Sequence, residues 1–352
     1  MIREAIAHVA AGATLSEAEA AVVMEEIMSG VATPSQMGAF LTVLHLRPGG
    51  ETVAEIAGLA RVMRDKALRV YLDEQSAERA LDTCGTGGDA SGTFNVSTAV
   101  AILAAAAGAT VAKHGNRSAT SKCGSADVLE ALGMKIDLGP QAVARCVQEV
   151  GFGFMFAPTF HPAMKHVGPT RREIGIRTVF NILGPLTNPA HTRYQVLGVA
   201  DSTLLRKMGE VLLRLGCRHA LIVHGEDGID ECSLSAPTRI CEVRNGQELR
   251  EYTITPEEVG LSSVSNRQLF QGGDPAHNAT ILRELLSTYV ATPASEMLCL
   301  NAGAALVANE QVDSLADGVK LAQATLRAGQ AKQKLADVVA STQAQKQESH
   351  VS

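Results

Sequence analysis

Apolar residues near the start of the chain recur at helical spacing. Val22, Val23 and Ile27, and then Phe40, Leu41 and Leu44, fall three and four residues apart, as on one face of a helix. Each pattern sits behind a start signal. Ser16 is followed three residues on by Glu19, Thr33 by Gln36, and Thr52 by Glu55. In such a pair the hydroxyl accepts from a free first-turn N–H while the third side chain reaches back. Pro34 takes the first helical position, where its missing N–H costs nothing. Gly30 and the Pro48-Gly49-Gly50 run are stop signals. Residues 1–72 therefore read as a small helical domain.

Past residue 80 the texture changes. ALDTCGTGG, an Ala-rich helix over 97–107 and ATVAKHG follow one another. Later YQVLGVA (194–200), LLRKMGEVLLRLG (204–216) and HALIVHG (219–225) repeat the strand, helix, strand order. That order predicts an α/β domain with a mostly parallel central sheet. Residues 239–254 read as a hairpin around Asn245-Gly246. Residues 266–340 read as helices, and 346–352 as a frayed tail. Residues 161–190 break the rhythm, being helical and punctuated by Gly and Pro. Folded back onto 1–72, they would make the helical domain discontinuous. The large α/β domain would then comprise 73–160 and 191–345, with a cleft between the two units.

Composition narrows the reading. Aromatic residues are 3% of the chain and Trp is absent, while Gly numbers 32, so the core must be built from small aliphatic side chains in close approach. A net charge of −6 argues against a nucleic-acid partner, though local basic clusters and backbone N–H groups still suit a small anion. The seven cysteines form no C-x-x-C and read as free thiols of a reducing compartment. No signal-peptide layout opens the chain, and no apolar run approaches the roughly 18 residues of a spanning helix. A cytoplasmic location without membrane partners is expected.

Three loops carry the candidate chemistry. Asp82-Thr83-Cys84-Gly85-Thr86-Gly87-Gly88-Asp89 leaves a strand and leads through Thr93, Asn95, Val96, Ser97 and Thr98 into a helix. Its glycines allow successive N–H groups to line one concavity at a helix N-terminus, which suits phosphate; the alternative is a tight strand-to-helix turn. It matches neither the Lys-containing P-loop nor the dinucleotide fingerprint, since Ala90 stands at the third Gly position. Lys113-His114-Gly115-Asn116-Arg117-Ser118-Ala119-Thr120-Ser121 places cations, an amide and hydroxyls after the next strand, for an anion or simply for solvent. Ser125 can cap the helix that follows. His114 reads as a packing and orienting residue rather than an acid or base. Asp227-Gly228-Ile229-Asp230-Glu231 offers paired carboxylates suited to Mg²⁺ beside phosphates, or forms an ordinary acidic turn. Arg171 and Arg172 could clamp a carboxylate or lie solvated, and Gly184-Pro185 opens a rigid turn. His224 and Cys232 flank the acidic turn without the further ligands a zinc site needs. No G-x-S-x-G or H-E-x-x-H occurs.

Taken together, GTGGD, the Asn95-Val96-Ser97-Thr98 run, KHGNR, the Arg171 segment with NILGPLTNP, and Asp230-Glu231 resemble the anthranilate phosphoribosyltransferase family in order and spacing, over most of the chain. The resemblance implies the two-domain fold and a homodimer formed through the helical domain. It implies that Gly85, Gly88, Asp89, Thr93, Asn95, Val96, Ser97, Thr98, the stretch from Lys113 to Ser121, and Ser125 surround phosphoribosyl pyrophosphate. It further implies that Ser97, Asp230 and Glu231 hold two Mg²⁺ per subunit. Asn116 and Arg171 would position anthranilate, with Gly85, Gly184 and Pro185 nearby and no residue acting as acid or base. Cys84 and Cys123 depart from the family pattern, where other small residues are common. Pyrimidine nucleoside phosphorylases share the fold but resemble residues 113–125 poorly. A non-catalytic homologue that binds nucleic acid is disfavoured by the negative charge and the intact acidic pair.

Overall fold

The computed structural model describes residues 1–118 and 121–345; the tail 346–352, expected to fray, lies outside them. Four helices open the chain: α1 (Ile2–Ala10), α2 (Glu17–Met28), α3 (Pro34–Leu46) and α4 (Val53–Asp65). Ser16, Thr33 and Thr52 each accept from the N–H three residues on, and the partner side chain reaches back. Such a cap contributes about 1 kcal/mol. Val23, Ile27, Phe40, Leu41 and Leu44 are buried. Val22 is not: it is 45% exposed, because one helical step turns it away from the face formed by Ala20, Val23, Met24 and Ile27. Glu55 is fully buried. It accepts from Arg47 and from the backbone N–H groups of Leu15 and Thr52, which locks the α3–α4 connection to the chain before α2.

A short helix, α5 (Glu74–Arg79), leads into β1 (Ala80–Gly85), α6 (Val96–Ala106), β2 (Thr110–Gly115), α7 (Ser125–Ala131), α8 (Pro140–Val150) and β3 (Phe152–Phe156). After three short helices, α9 (Ala157–Phe160), α10 (Gly168–Ile174) and α11 (Phe180–Leu183), the sheet resumes with β4 (Tyr194–Gly198), α12 (Leu204–Arg214), β5 (His219–Gly225), β6 (Thr238–Arg244) and β7 (Arg250–Ile254). The strand order is β3-β2-β1-β4-β5-β6-β7. The first five strands are parallel, and β6 and β7 add an antiparallel hairpin. The expected architecture holds: an N-terminal helical unit and a large α/β unit with a mostly parallel sheet. The β5 strand is buried at every position, as a parallel strand covered on both faces must be.

Helices α13 (Pro275–Ser287), α14 (Pro293–Ala308), α15 (Leu315–Arg327) and α16 (Gln330–Ala344) complete the α/β unit. Buried residues of α14 join those of α6, β1, β2 and β5 in one core. Gly303 and Gly318 bring α14 and α15 together so closely that a Cβ on Gly318 would fall 2.6 Å from the Gly303 carbonyl oxygen. The abundance of glycine and the scarcity of aromatics have this packing as their counterpart. On the other side, Val167, Val179, Phe180, Leu183 and Leu186 of the segment between β3 and β4 share a core with Val23, Ile27 and Phe40. Arg64 of α4 donates to the carbonyls of Leu186 and Leu215, at 2.6 and 3.0 Å, tying the helical layer to that segment and to the end of α12.

One expected cap is displaced. Ser125 is the first residue of α7, and Gly124 is its cap position. The Asp127 carboxylate accepts from the N–H groups of Gly124 and Ser118, at 2.8 and 3.1 Å, so the helix start is satisfied from within its first turn. The Ser125 hydroxyl is left to donate to the Asn116 carbonyl.

Candidate active site

In sequence, β1, β2 and β3 proceed to one side of the sheet, and β4 returns to pair with β1 on the other. A crevice opens where such connections diverge, beyond the carboxyl ends of the strands. The three candidate loops leave from there: residues 86–95 after β1, 116–124 after β2, and 226–231 after β5.

Two glycines make the centre of the site. Gly85 and Gly198 are register partners on β1 and β4. Asp230 lies across both. A Cβ on Gly198 would overlap the Asp230 carbonyl oxygen, and one on Gly85 would overlap its carboxylate. Gly87 N–H donates to the same carboxylate at 2.8 Å. Burial pushes the Asp230 carboxyl well up from the usual carboxylate range, and the neighbouring Asp89 adds to the rise. Glu231 is raised as well, by burial first and then by Asp230. Carboxylates crowded together in a partly buried site are stabilised by a proton or by a bound cation. Among the described residues no three acidic, His or Cys side chains converge as a complete metal shell. Two carboxylates and the Ser97 hydroxyl instead fit Mg²⁺, which keeps waters and takes substrate phosphate oxygens as its remaining ligands.

Lys113 is the buried cation of this region. Its ammonium donates to the Thr83 carbonyl and, at 3.4 Å, to the Ser97 hydroxyl. Ser97 lies in the first turn of α6, at the positive end of the helix dipole, and its backbone N–H faces Glu231. Thr98 is buried in the same turn. Asn95, just before it, donates to the Cys123 carbonyl and accepts from Asn278, linking the loops after β1 and β2 to α13. Thr93 bridges to Gln271. Gly88 adopts a positive φ of 79°, and a Cβ there would strike the Arg177 guanidinium.

The second loop is held from below. Asp82 is fully buried and accepts from the His114 N–H at 3.2 Å and from Asn188 at 2.7 Å. A Cβ on Gly115 would collide with the Ser125 hydroxyl and the Phe154 ring. Asn116 directs its side-chain oxygen to the Arg117 N–H. The Arg117 guanidinium turns outward to Asp127 and Glu130 of α7, at 2.9 and 2.8 Å. Ser118 and Ser121 bond each other through their hydroxyls at 2.7 Å. Ala119 and Thr120 lie outside the described residues.

The segment between β3 and β4 supplies the facing wall. Arg171 stacks over Phe180, 5.2 Å from the ring centroid, and burial lowers its pKa from the ordinary arginine value. The His114 and His161 rings stand 5.0 Å apart. Burial holds both neutral, depressed to about 3 and about 4. His114 Nε2 and both ring nitrogens of His161 have no hydrogen-bond partner among the described residues. Gly184 and Pro185 form a 3-10 turn whose Pro185 carbonyl accepts from Gln195 at 2.7 Å. Sequence reasoning missed Gly198, His161 and Arg177; Asp82 and Asn188 lay within its candidate motifs, but their bond to each other was not foreseen.

A helical layer, a mostly parallel sheet and a phosphate-type loop beside paired acids define a glycosyltransferase of two units. Residues 3–67 match a family model described as "Glycosyl transferase family, helical bundle domain", and residues 77–332 one described as "Glycosyl transferase family, a/b domain". Within that class, the chain belongs to the anthranilate phosphoribosyltransferase family. It is 56% identical over 339 residues to the anthranilate phosphoribosyltransferase of Chloroflexus aggregans, covering 96% of this chain and 98% of that one. The crystal structure of the Thermus thermophilus enzyme superposes with a TM-score of 0.89 at 44% identity, over 97% of this chain and 99% of that one. The Saccharomyces cerevisiae enzyme, in complex with PRPP and Mg, superposes with a TM-score of 0.87 at 26% identity, over 98% of each chain.

Proposed function

We propose that this chain transfers the 5-phosphoribosyl group from phosphoribosyl pyrophosphate to the amine of anthranilate, in tryptophan biosynthesis. The bond between ribose C1 and a pyrophosphate oxygen breaks, the amine nitrogen bonds to C1, and the nitrogen's proton leaves to solvent or to the departing pyrophosphate. The observation that carries the reading is the Asp230-Glu231 pair, folded across Gly85 and Gly198 beside a helix N-terminus that has no side-chain cap. Family membership supports it, as does the yeast enzyme's capture with PRPP and Mg and, in another structure, with 4-fluoroanthranilate.

In this reading Gly85, Gly88, Asp89, Thr93, Asn95, Val96, Ser97, Thr98, the residues from Lys113 to Ser121, and Ser125 surround the donor. Lys113 acts from beneath, holding Thr83 and Ser97. Ser97, Asp230 and Glu231 would hold Mg²⁺, two per subunit, which would supply positive charge beside the leaving pyrophosphate. Arg171 clamps the anthranilate carboxylate, Asn116 aligns the amine, and Gly85, Gly184 and Pro185 flank the ring. Neutral His114 and His161 offer that ring a wall without charge. The amine is already a neutral nucleophile, so the chain's contribution is positioning and electrostatics rather than a strong base.

We assign residues 1–72 and 161–190 to the helical unit and 73–160 and 191–345 to the α/β unit. Val22, Val31 and Leu46 expose apolar surface on the helical layer, which supports homodimerisation there. No helix among the described residues is long and apolar enough to cross a membrane, and we assign the enzyme to the cytoplasm.

Anthranilate fluorescence tests the function. Its loss should require protein, phosphoribosyl pyrophosphate and Mg²⁺ together, and EDTA should abolish it. Persistent fluorescence with folded protein would remove the aromatic acceptor. Sedimentation at micromolar concentration should give a dimer; a monomer would remove the interface.

A further inference from the structure

At the amino ends of β4 and β5, opposite Gly85 and Gly225, the chain lines an open pocket of about 400 Å³. Its walls include Arg193, Arg218, Arg244, Asn245, Gln247 and Glu310. Arg193 immediately precedes β4, Arg218 immediately precedes β5, and Arg244 ends β6. Strand order, rather than closeness in sequence, gathers three guanidinium groups at one place. Tyr194, His219 and Arg244 are register partners across the three strands.

The charges are unevenly committed. Glu78 accepts from Arg193 at 3.0 Å. Glu242 accepts from Arg244 at 2.7 Å and faces His219 Nε2 at 3.1 Å. Glu310 accepts from the Tyr194 hydroxyl at 3.1 Å. Arg218 differs. Its guanidinium stacks over the Tyr194 ring at 5.8 Å. Its carboxylate neighbours, Glu78 and Glu310, stand at 3.9 and 3.8 Å, beyond hydrogen-bond reach. Beneath it His219 is fully buried. The Nδ1 atom of that ring has no hydrogen-bond partner among the described residues and lies 3.9 Å from Glu310 in the cavity wall. A buried ring nitrogen left without a partner is a local cost that the neighbouring side chains do not offset.

We propose that this cavity is a second binding site, separate from the transfer site, for a small organic phosphate anchored by Arg218. One bidentate arginine satisfies a planar carboxylate, whereas guanidinium groups converging from three strands suit a tetrahedral anion with several oxygens. The volume exceeds that of phosphate alone and lies within the range of small-molecule sites. Asn245, Gln247 and Glu310 supply acceptors and donors for hydroxyl groups on the attached part. The site does not depend on the identity of the transfer reaction, because it shares no residue with it.

Ribose 5-phosphate is the probe, titrated calorimetrically into the full chain at physiological salt. The wild type should show a binding component that Arg218→Gln weakens about tenfold or more, as expected for loss of charge-assisted hydrogen bonds. Arg218→Lys should restore part of it, and turnover at saturating substrates should stay unchanged in both. Superimposable wild-type and Arg218→Gln isotherms would overturn the site. Loss of binding together with turnover would also overturn it, by locating the ligand at the transfer site. Equal competition by malate would overturn the phosphate chemistry, and equal affinity for inorganic phosphate would overturn the organic part. If Arg218→Gln fails to fold, Arg193→Gln carries the same comparison.

Discussion

Arg171 combines a permanent charge with substantial burial and a stack on Phe180, a cost that a ligand carboxylate would offset. Arg171→Ala should raise the KM for anthranilate by roughly ten- to a hundredfold while leaving that for the phosphoribosyl donor within about twofold. Initial rates with each substrate varied in turn decide this, and equal rises would remove the clamp. Asp230→Asn combined with Glu231→Gln should lower turnover at least about a hundredfold and flatten its magnesium dependence. Near-normal kinetics in that double variant would end the metal assignment. At this scale the sequence was legible where chemistry is concentrated in a few neighbours, as in Asp230-Glu231 or KHGNR. It was illegible where a partner is remote. Asn188, 106 residues from Asp82, is a turn residue until the sheet brings the two together. Nor does anything local distinguish His161 from any histidine preceding a proline.

Among the elements, the β1 and β4 ends show how a strand terminus can be specified by what passes over it. Gly198 lies in a fully buried strand at ordinary backbone angles, so its identity answers to the Asp230 backbone above it. Gly198→Ala should therefore keep the secondary structure, cost roughly 1–3 kcal/mol of stability and lower turnover about tenfold or more, since the Asp230 backbone must shift by more than the tolerance of a metal site. Circular dichroism beside the fluorescence assay checks both halves, and full activity would mean that the acidic loop is not held there. The helix starts at Ser16, Thr33 and Thr52 were readable because capping is settled within four residues. The start of α7 was misread because Asp127 serves Gly124 and Ser118 together, and Ser118 belongs to the loop rather than to the helix. Val22 was misread as a core position because adjacent apolar residues on a helix face different ways.

For the molecule as a whole, His114 and His161 couple stability to pH. Their folded pKa values lie below the unfolded value near 6.5, so the unfolded chain binds more protons in mild acid. Their contribution is complete above about pH 6.5 and is lost as the pH falls toward 4 and then 3. Urea midpoints should drop over that window by the equivalent of roughly 1–3 kcal/mol, and His161→Asn should flatten the slope; an unchanged slope would mean the ring titrates normally. A different consequence follows from the shared core of α2, α3 and residues 167–186. The chain leaves the helical layer after α4 and returns to cover it only after β1, β2 and β3 have been made. At ribosomal speeds the gap of about 120 residues lasts roughly 6–24 s. For that interval the nascent layer presents an apolar face with its own cover still unsynthesised.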